Sequence, residues 1–505
     1  MATEQSEDAT GEETGGYEDL IDRYERRRYL QDAAQVLSWD QQVMMPEGGT
    51  PARSKQVSAL SAVTHDVITD EAFAAALEAA ESADLPDARA AAVREIRREY
   101  DRAATVPRDL VERISEETSN ALPIWKEAKA ESDWETFAPQ VETLLDRKLE
   151  YAEHVDPDSD PYEVLFGDFE PWLDLEVAER VLERLRDELV PLVDELKAAD
   201  ADLAQPFDGT YPDDDQMALM RATLDHVGYD FARGRIDTAP HPFSTGTQFD
   251  ARVTTRFDED DPVGAIGSTI HEFGHARYTL GLPEEHYGTP LGSHRGLTVH
   301  ESQSRLWENH VGRSRAFWAE YAGIVDEHLG SDVTPQQGYE AANQIYPENR
   351  IRVEADELTY HMHIVLRFEI ERDLVAGDLD VAEVPAVWND KMEEYLGVRP
   401  ETDAEGCLQD IHWSHGSFGY FPTYSLGSVL AAQLYAALED DIPDVEDRIR
   451  EGDFAPVHDW LETNVHSHGA RLKTNDLVEE ATGERFTADY FLEYVREKFG
   501  SLYGL

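Results

Sequence analysis

His271-Glu272-Phe273-Gly274-His275 reads H-E-x-x-H, and the residues around it read as a helix. On a helix, residues four apart lie on one face, so both imidazoles can reach one metal ion. Glu272 sits next to the first histidine, beside the metal, where a base must be to take a proton from the attacking water. The pattern proposes a zinc site and a catalytic base together. The flanking residues suit that helix. Asp261 can cap it, Pro262 fits its first turn, Gly281 fits its end, and Ile266, Ile270, Phe273 and Leu280 give a buried stripe.

A catalytic zinc needs a third protein ligand and one open position. Glu301, in Thr298-Val299-His300-Glu301-Ser302-Gln303, falls on the next predicted helix. Thr298 and Glu301 also form T-x-x-E, a capping box that needs no metal. His300, His286 and His294 are rival ligands, and spacing alone leaves the choice open.

The elements that must position these groups are mostly helical. Apolar residues recur at helical spacing over 17–45, 52–63, 71–82, 86–104, 107–130, 134–154 and 175–198. After the zinc region, helices are expected at 298–329, 335–344, 348–376, 384–396, 426–439, 443–451, 453–464 and 487–498. The exception is 242–257, where Phe249, Ala251 and Val253 alternate with Asp250, Arg252 and Thr254. That is a strand pattern, and the edge of a small sheet could hold an extended peptide. On the helix expected at 348–376, Arg352, Asp356, Tyr360 and His363 share a face amid apolar neighbours. Such a stripe must be paired or must face a cavity, and a buried Arg352–Asp356 pair is the plain reading. The stretch from Gly406 to Tyr424 is dense in Gly, His and Tyr without periodicity, and it reads as a functional loop.

Composition bounds the answer further. The chain of 505 residues carries 106 acidic against 44 basic residues, a net charge of -62. Nucleic acid and anionic membranes are poor partners for such a surface. No apolar stretch is long enough for a transmembrane helix. Residues 1–16 lack the apolar region of a secretory signal and read as a disordered acidic tail. Residues 17–505 read as one helical domain, with an N-terminal region to about 240 and a zinc-site region beyond it. Cys407 is the only cysteine, so no disulfide can form within the chain, which fits a cytoplasmic protein. The acid is spread along the chain and lysine is scarce, as expected of a halophilic surface solvated in concentrated salt.

Together these pieces resemble the carboxypeptidase Taq family of zinc metallocarboxypeptidases. The resemblance runs over nearly the whole chain. It rests on Leu37-Ser38-Trp39-Asp40-Gln41 with Met45-Pro46, on Asp250-Ala251-Arg252-Val253-Thr254, and on the H-E-x-x-H motif. His300-Glu301-Ser302-Gln303, Ile351 to Asp356, and Gly406 to Trp413 follow in the family's order. Ser304 after Gln303 is an ordinary variation, and the acidic surface is the main departure. The resemblance implies a mainly helical fold with a deep groove and a small sheet near the metal. It implies one Zn2+ per chain, replaceable by Co2+ or Mn2+, on His271, His275 and Glu301. It assigns Glu272 as the base and Arg352 as the receiver of the substrate's C-terminal carboxylate. Asp250 and Arg252 then belong to the substrate groove, and Tyr420, Tyr424 and His412 are candidates to act at the transition state. The implied partners are peptides with free C-termini and a second copy of the chain in a homodimer. An oligopeptidase cutting internal bonds could use the same zinc site. A non-catalytic acidic protein with a structural zinc would have no task for Glu272.

The charge generates a test. Between about 0.1 M and molar salt the Debye length falls from roughly 10 Å to 3 Å. Self-repulsion is then screened, and Tm should rise by many degrees in scanning calorimetry. A flat Tm over that range would remove the high-salt reading.

Overall fold

Helices make up most of this chain, as the apolar spacing predicts; several begin on proline, whereas Pro123, Pro139 and Pro191 lie inside helices. The computed structural model describes residues 6–199 and 201–505. Helices Thr50–Thr69, Glu71–Glu81, Asp87–Thr105, Arg108–Glu131, Trp134–Val155 and Leu175–Ala198 match the expected segments to within a turn or two. The first helix runs Ser6–Val43. The tail expected over 1–16 lies outside the described residues at 1–5, and from Ser6 the backbone is helical. Pro161–Phe169, Asp213–His226 and Thr474–Thr482 are helices that spacing did not announce. The first is nine residues long, with Pro161 in its first turn and the Asp160 carboxylate accepting from Tyr162 N at 2.8 Å. An Asp-Pro start is also a turn signal, so so short a helix is easily read as loop.

One small sheet interrupts the helices: β1 (Ile236–Thr238), β2 (Ser244–Thr247) and β3 (Asp250–Thr255), in the order β1-β3-β2. β1 pairs parallel and β2 antiparallel with the central β3, with Ser244 opposite Val253 and Thr247 opposite Asp250. Ala251 and Val253 point into the core. Phe249 lies in the turn before β3 and is exposed, so the expected alternation begins one residue late. The fold is mainly α with this sheet packed against the helix Pro262–Gly281.

Two expected helices differ in form. The segment 298–329 is not continuous. It is a helix over Leu297–Arg305, a π-helical turn over Leu306–Gly312, and a second helix, Arg315–Leu329, whose cap Ser314 accepts from Phe317 N. π turns gather at functional sites, where one extra residue re-aims a helix face. The segment 348–376 is helical only over Tyr360–Ala376, with a short 3-10 turn at Arg352–Glu354. Asp356 explains the break. Its carboxylate accepts from the backbone N–H of Leu358 and Thr359 and from the Thr359 hydroxyl, so it starts the helix rather than lying within it. The shared face proposed for Arg352, Asp356, Tyr360 and His363 therefore does not exist.

The core falls into a large cluster and a smaller one. The small one is built by the N-terminal helices around Leu20, Tyr24, Phe73, Leu77 and Ile96. A buried ion pair, Arg295 to Glu95 at 2.7 Å, ties those helices to the body. Within the large cluster the helix Leu297–Arg305 is sandwiched between Pro262–Gly281 and Pro422–Asp441, and two glycines make the sandwich possible. A Cβ on Gly274 would lie 2.5 Å from Ser304 Cα and 2.6 Å from Gln303 O. A Cβ on Gly427 would lie 2.4 Å from Glu301 Cγ.

Gly274→Ala must push two backbones apart and should cost about 1–3 kcal/mol by denaturant unfolding. Gly323→Ala is the control. It sits exposed in Arg315–Leu329 with nothing within 4 Å of the added carbon, and should stabilise by about 0.5–1 kcal/mol. Equal effects of the two changes would refute the close-packing account.

Candidate active site

The helix Pro262–Gly281 begins as the sequence suggests. Asp261 caps it, accepting from Gly264 N at 3.1 Å, and Pro262 occupies its first turn. His271 and His275 therefore project from one face, their rings 4.9 Å apart. Glu301 comes from the neighbouring helix. Its Oε2 lies 3.6 Å from His271 Nε2 and 3.4 Å from His275 Nε2. The ligand atoms of these three residues all lie within 4.8 Å of one another.

Glu301 is not half of a capping box. Thr298 lies inside the helix, and its N–H and hydroxyl both donate to Glu170 Oε1 at 2.6 Å. The T-x-x-E spacing is thus incidental, and Glu170 does the capping. The rival histidines lie outside this cluster. The His300 ring stacks on His275 with centroids 4.2 Å apart, and its carbonyl accepts from His275 Nδ1 at 3.1 Å. His294 Nδ1 donates to Arg295 O at 2.7 Å. His286 ends a 3-10 turn and is not in the cluster.

The residues fit a divalent metal on a structural criterion. His271 Nδ1 faces Glu308 Oε2 at 2.9 Å and His275 Nδ1 faces a carbonyl. Both partners are acceptors, so each Nδ1 holds the proton and each Nε2 keeps its lone pair for the shared point. Burial alone would raise the Glu308 carboxyl. The guanidiniums of Arg313 and Arg305 and the bond from His271 outweigh it and hold it well below the usual range. Arg305 Nε donates to Glu301 Oε1 at 2.7 Å, and Arg313 Nη2 donates to Glu308 Oε1 at 2.6 Å. Glu272 is buried beside this cluster and makes no side-chain hydrogen bond among the described residues. Burial pushes its carboxyl upward, against the pull of His271 and His275.

A second polar cluster carries Arg352. Its partner is Asp410, not Asp356: Nε and Nη2 donate to Asp410 Oδ1 at 3.1 and 2.8 Å, and Nη1 donates to Tyr360 OH at 3.0 Å. Arg367, fully buried, donates from Nε to Asp410 Oδ2 at 2.7 Å. Two guanidiniums thus share one carboxylate, which leaves one positive charge in excess. The Tyr424 ring lies 5.2 Å from the Arg352 guanidinium. His412 packs on Tyr420 and Phe421, at 5.2 and 4.5 Å between centroids. Burial lowers its pKa to about 4, so the imidazole is neutral at pH 7. The Tyr420 and Tyr424 rings lie 5.3 Å apart, and burial raises the Tyr420 hydroxyl, with the Glu301 charge adding to it. Asp250 and Arg252 pair with each other at 2.6 Å, and Arg252 stacks on Trp39. They line a cavity of about 260 Å³ with Tyr29, Thr247 and Tyr287, between the first helix and the sheet.

Sequence reasoning gave no role to Glu308, Arg305, Asp410 or Arg367. Glu301, Arg305 and Glu308 are spaced four and three apart, which puts them on one helix face, a signal that was present and unused. Asp410 pairs across 58 positions of chain with Arg352, and no local pattern announces that.

The family model described as Carboxypeptidase Taq (M32) metallopeptidase matches residues 19–499. Thermostable carboxypeptidase 1 of Thermus thermophilus is 37% identical over 516 residues, covering 97% of this chain and 99% of that protein. Carboxypeptidase 1 of Bacillus subtilis is 34% identical over 492 residues, covering 96% and 98%. The crystal structure of an M32 carboxypeptidase from Deinococcus radiodurans R1 superposes with a TM-score of 0.94 at 37% identity, covering 97% of this chain and all of that one. The chain belongs to the carboxypeptidase Taq (M32) metallopeptidase family and is, like these relatives, a metallocarboxypeptidase.

Proposed function

We propose that this protein is a zinc-dependent carboxypeptidase that removes C-terminal amino acids from peptides one at a time. The observation that carries the reading is the convergence of His271, His275 and Glu301, with Glu272 beside them and a cationic cluster on the same helix framework. When bound, zinc supplies a Lewis acid that acidifies water and polarises the scissile carbonyl. Glu272 takes the proton of the attacking water and returns it to the leaving amine. His412, neutral at pH 7, and Tyr420 or Tyr424 donate to the oxygen on which charge develops. Arg352 receives the terminal carboxylate, and the surplus positive charge around Asp410 supports that role. The cavity beside β2 suits the upstream part of an extended peptide. The protein works as a homodimer in the cytoplasm, and its acid-rich surface suits concentrated salt.

Glu272→Gln should keep its metal and lose about 10²–10⁴ in turnover, read by metal analysis beside a peptidase assay. Loss of the metal, or turnover near wild type, would remove Glu272 as the base.

Arg352 is tested with a peptide bearing a free C-terminus and its amidated twin, with and without chelator. Arg352→Ala should lower kcat/KM for the free peptide by tenfold or more, since a charge-assisted contact is worth about 1.5–3 kcal/mol. The amidated peptide should lose much less, so the preference collapses. A folded variant that still prefers free C-termini would reject Arg352 as anchor, and efficient internal cleavage by wild type would favour an oligopeptidase.

A further inference from the structure

Arg305 is out of place on simple electrostatic grounds. A guanidinium set against a metal ligand repels the cation that the ligand is there to hold. Yet Arg305 Nε donates to Glu301 Oε1 at 2.7 Å, and Nη1 donates to Glu308 Oε2 at 3.1 Å. Its guanidinium also lies 5.0 Å from the centre of the Tyr360 ring. Three neighbours therefore fix it, and it cannot swing clear of Glu301. The two Glu301 oxygens are treated differently. Oε2 faces both histidine Nε2 atoms, and Ser304 Oγ lies 3.1 Å from it. Oε1 is turned to Arg305.

A carboxylate with both oxygens free can bind a metal through both. A second oxygen would then take a position that a catalytic site must keep for water or substrate. We propose that Arg305 is a positioning residue that holds Glu301 to one ligating oxygen and so keeps a coordination position open. The inference rests on the metal reading above. It explains why a cation is placed where it opposes metal affinity: an open position is gained for some loss of binding strength. A purely orienting role would predict the opposite, because residues that only orient a ligand raise affinity, and losing them costs about 10–100-fold.

The test uses Co2+ as a spectroscopic probe in the full-length protein, since its visible absorption weakens as coordination number rises. Affinity is measured by chelator competition. Arg305→Met should bind Co2+ at least as tightly as wild type, and its visible absorption should fall by about twofold or more. In a Glu301→Gln background, where the ligand has one oxygen only, adding Arg305→Met should leave the spectrum unchanged. If circular dichroism shows that the Met variant does not fold, Arg305→Lys carries the test. It keeps the charge but cannot fork between Glu301 and Glu308, and should show the same change in smaller measure. A folded variant with an unaltered spectrum and a 10–100-fold weaker affinity would overturn the proposal and leave Arg305 an orienting residue. Absence of Co2+ binding by wild type would instead overturn the metal reading on which the inference stands.

Discussion

A carboxylate taken out of water loses several kcal/mol of solvation even after the protein relaxes, and Glu301 is buried between two helices. It stays ionised because the Arg305 guanidinium and the histidines beside it outweigh the cost of burial. Arg305 lies on one oxygen and the histidines face the other. Arg305 in turn needs Glu308, Glu308 needs His271 and Arg313, and Arg313 leans on Glu357, which pairs with Lys498 at 2.5 Å. The chain of alternating charges runs from the candidate metal point to the C-terminal helix Asp489–Tyr503. Removing one member leaves an uncompensated buried charge, at about 3–5 kcal/mol. The helices that carry these residues are therefore locked in register by the site, and not only by their apolar faces.

Glu170 shows how the same fold treats a carboxylate that has no cation on it. It caps the helix of Glu301 through Thr298, and burial pushes its pKa to about 8. A neutral acid satisfies two donors there without adding a second charge to the interior. One end of the short helix thus holds a neutral carboxyl and the next turns hold ionised ones. The difference comes from the cations that Arg305 and Arg313 bring, and not from depth of burial, which is similar for all.

How much of this the sequence reveals depends on the distance over which each feature is encoded. The helix Pro262–Gly281 was legible because its cap, proline, apolar stripe and histidine pair all lie within one element. β3 was legible from alternation. Helix ends were legible where proline or glycine marks them. The break at Asp356 was not, because Asp356 is acceptable both inside a helix and at its start. Only Thr359 and the two backbone donors decide between the two. The π turn at Leu306–Gly312 turns the helix face by about 100°, yet it leaves no periodic trace, because every residue in it is buried and no polar face is there to mark the shift. Arg352 was visible as a buried cation in need of a partner. The partner itself, Asp410, lies in a loop that folds back from a distant part of the chain. Glu301 stayed ambiguous for a related reason: T-x-x-E is common, and what excludes a capping box is Glu170, which no local window contains.

The charge distribution bears on how a substrate arrives. The chain carries a net -62, yet Arg352 and Arg367 are buried side by side around Asp410. On the proposed reading, a peptide's terminal carboxylate approaches a surface of its own sign before it reaches Arg352. At low ionic strength the long-range repulsion reaches roughly 10 Å at 0.1 M and dominates the approach. In molar salt it shrinks to roughly 3 Å, while contacts between buried guanidinium and carboxylate are screened much less. Salt therefore acts on two stages with opposite weight: it lowers the barrier to encounter and leaves the final contact nearly intact. An acidic exterior and a buried guanidinium cluster are compatible in one protein when the first is tuned by the solvent and the second is sealed from it.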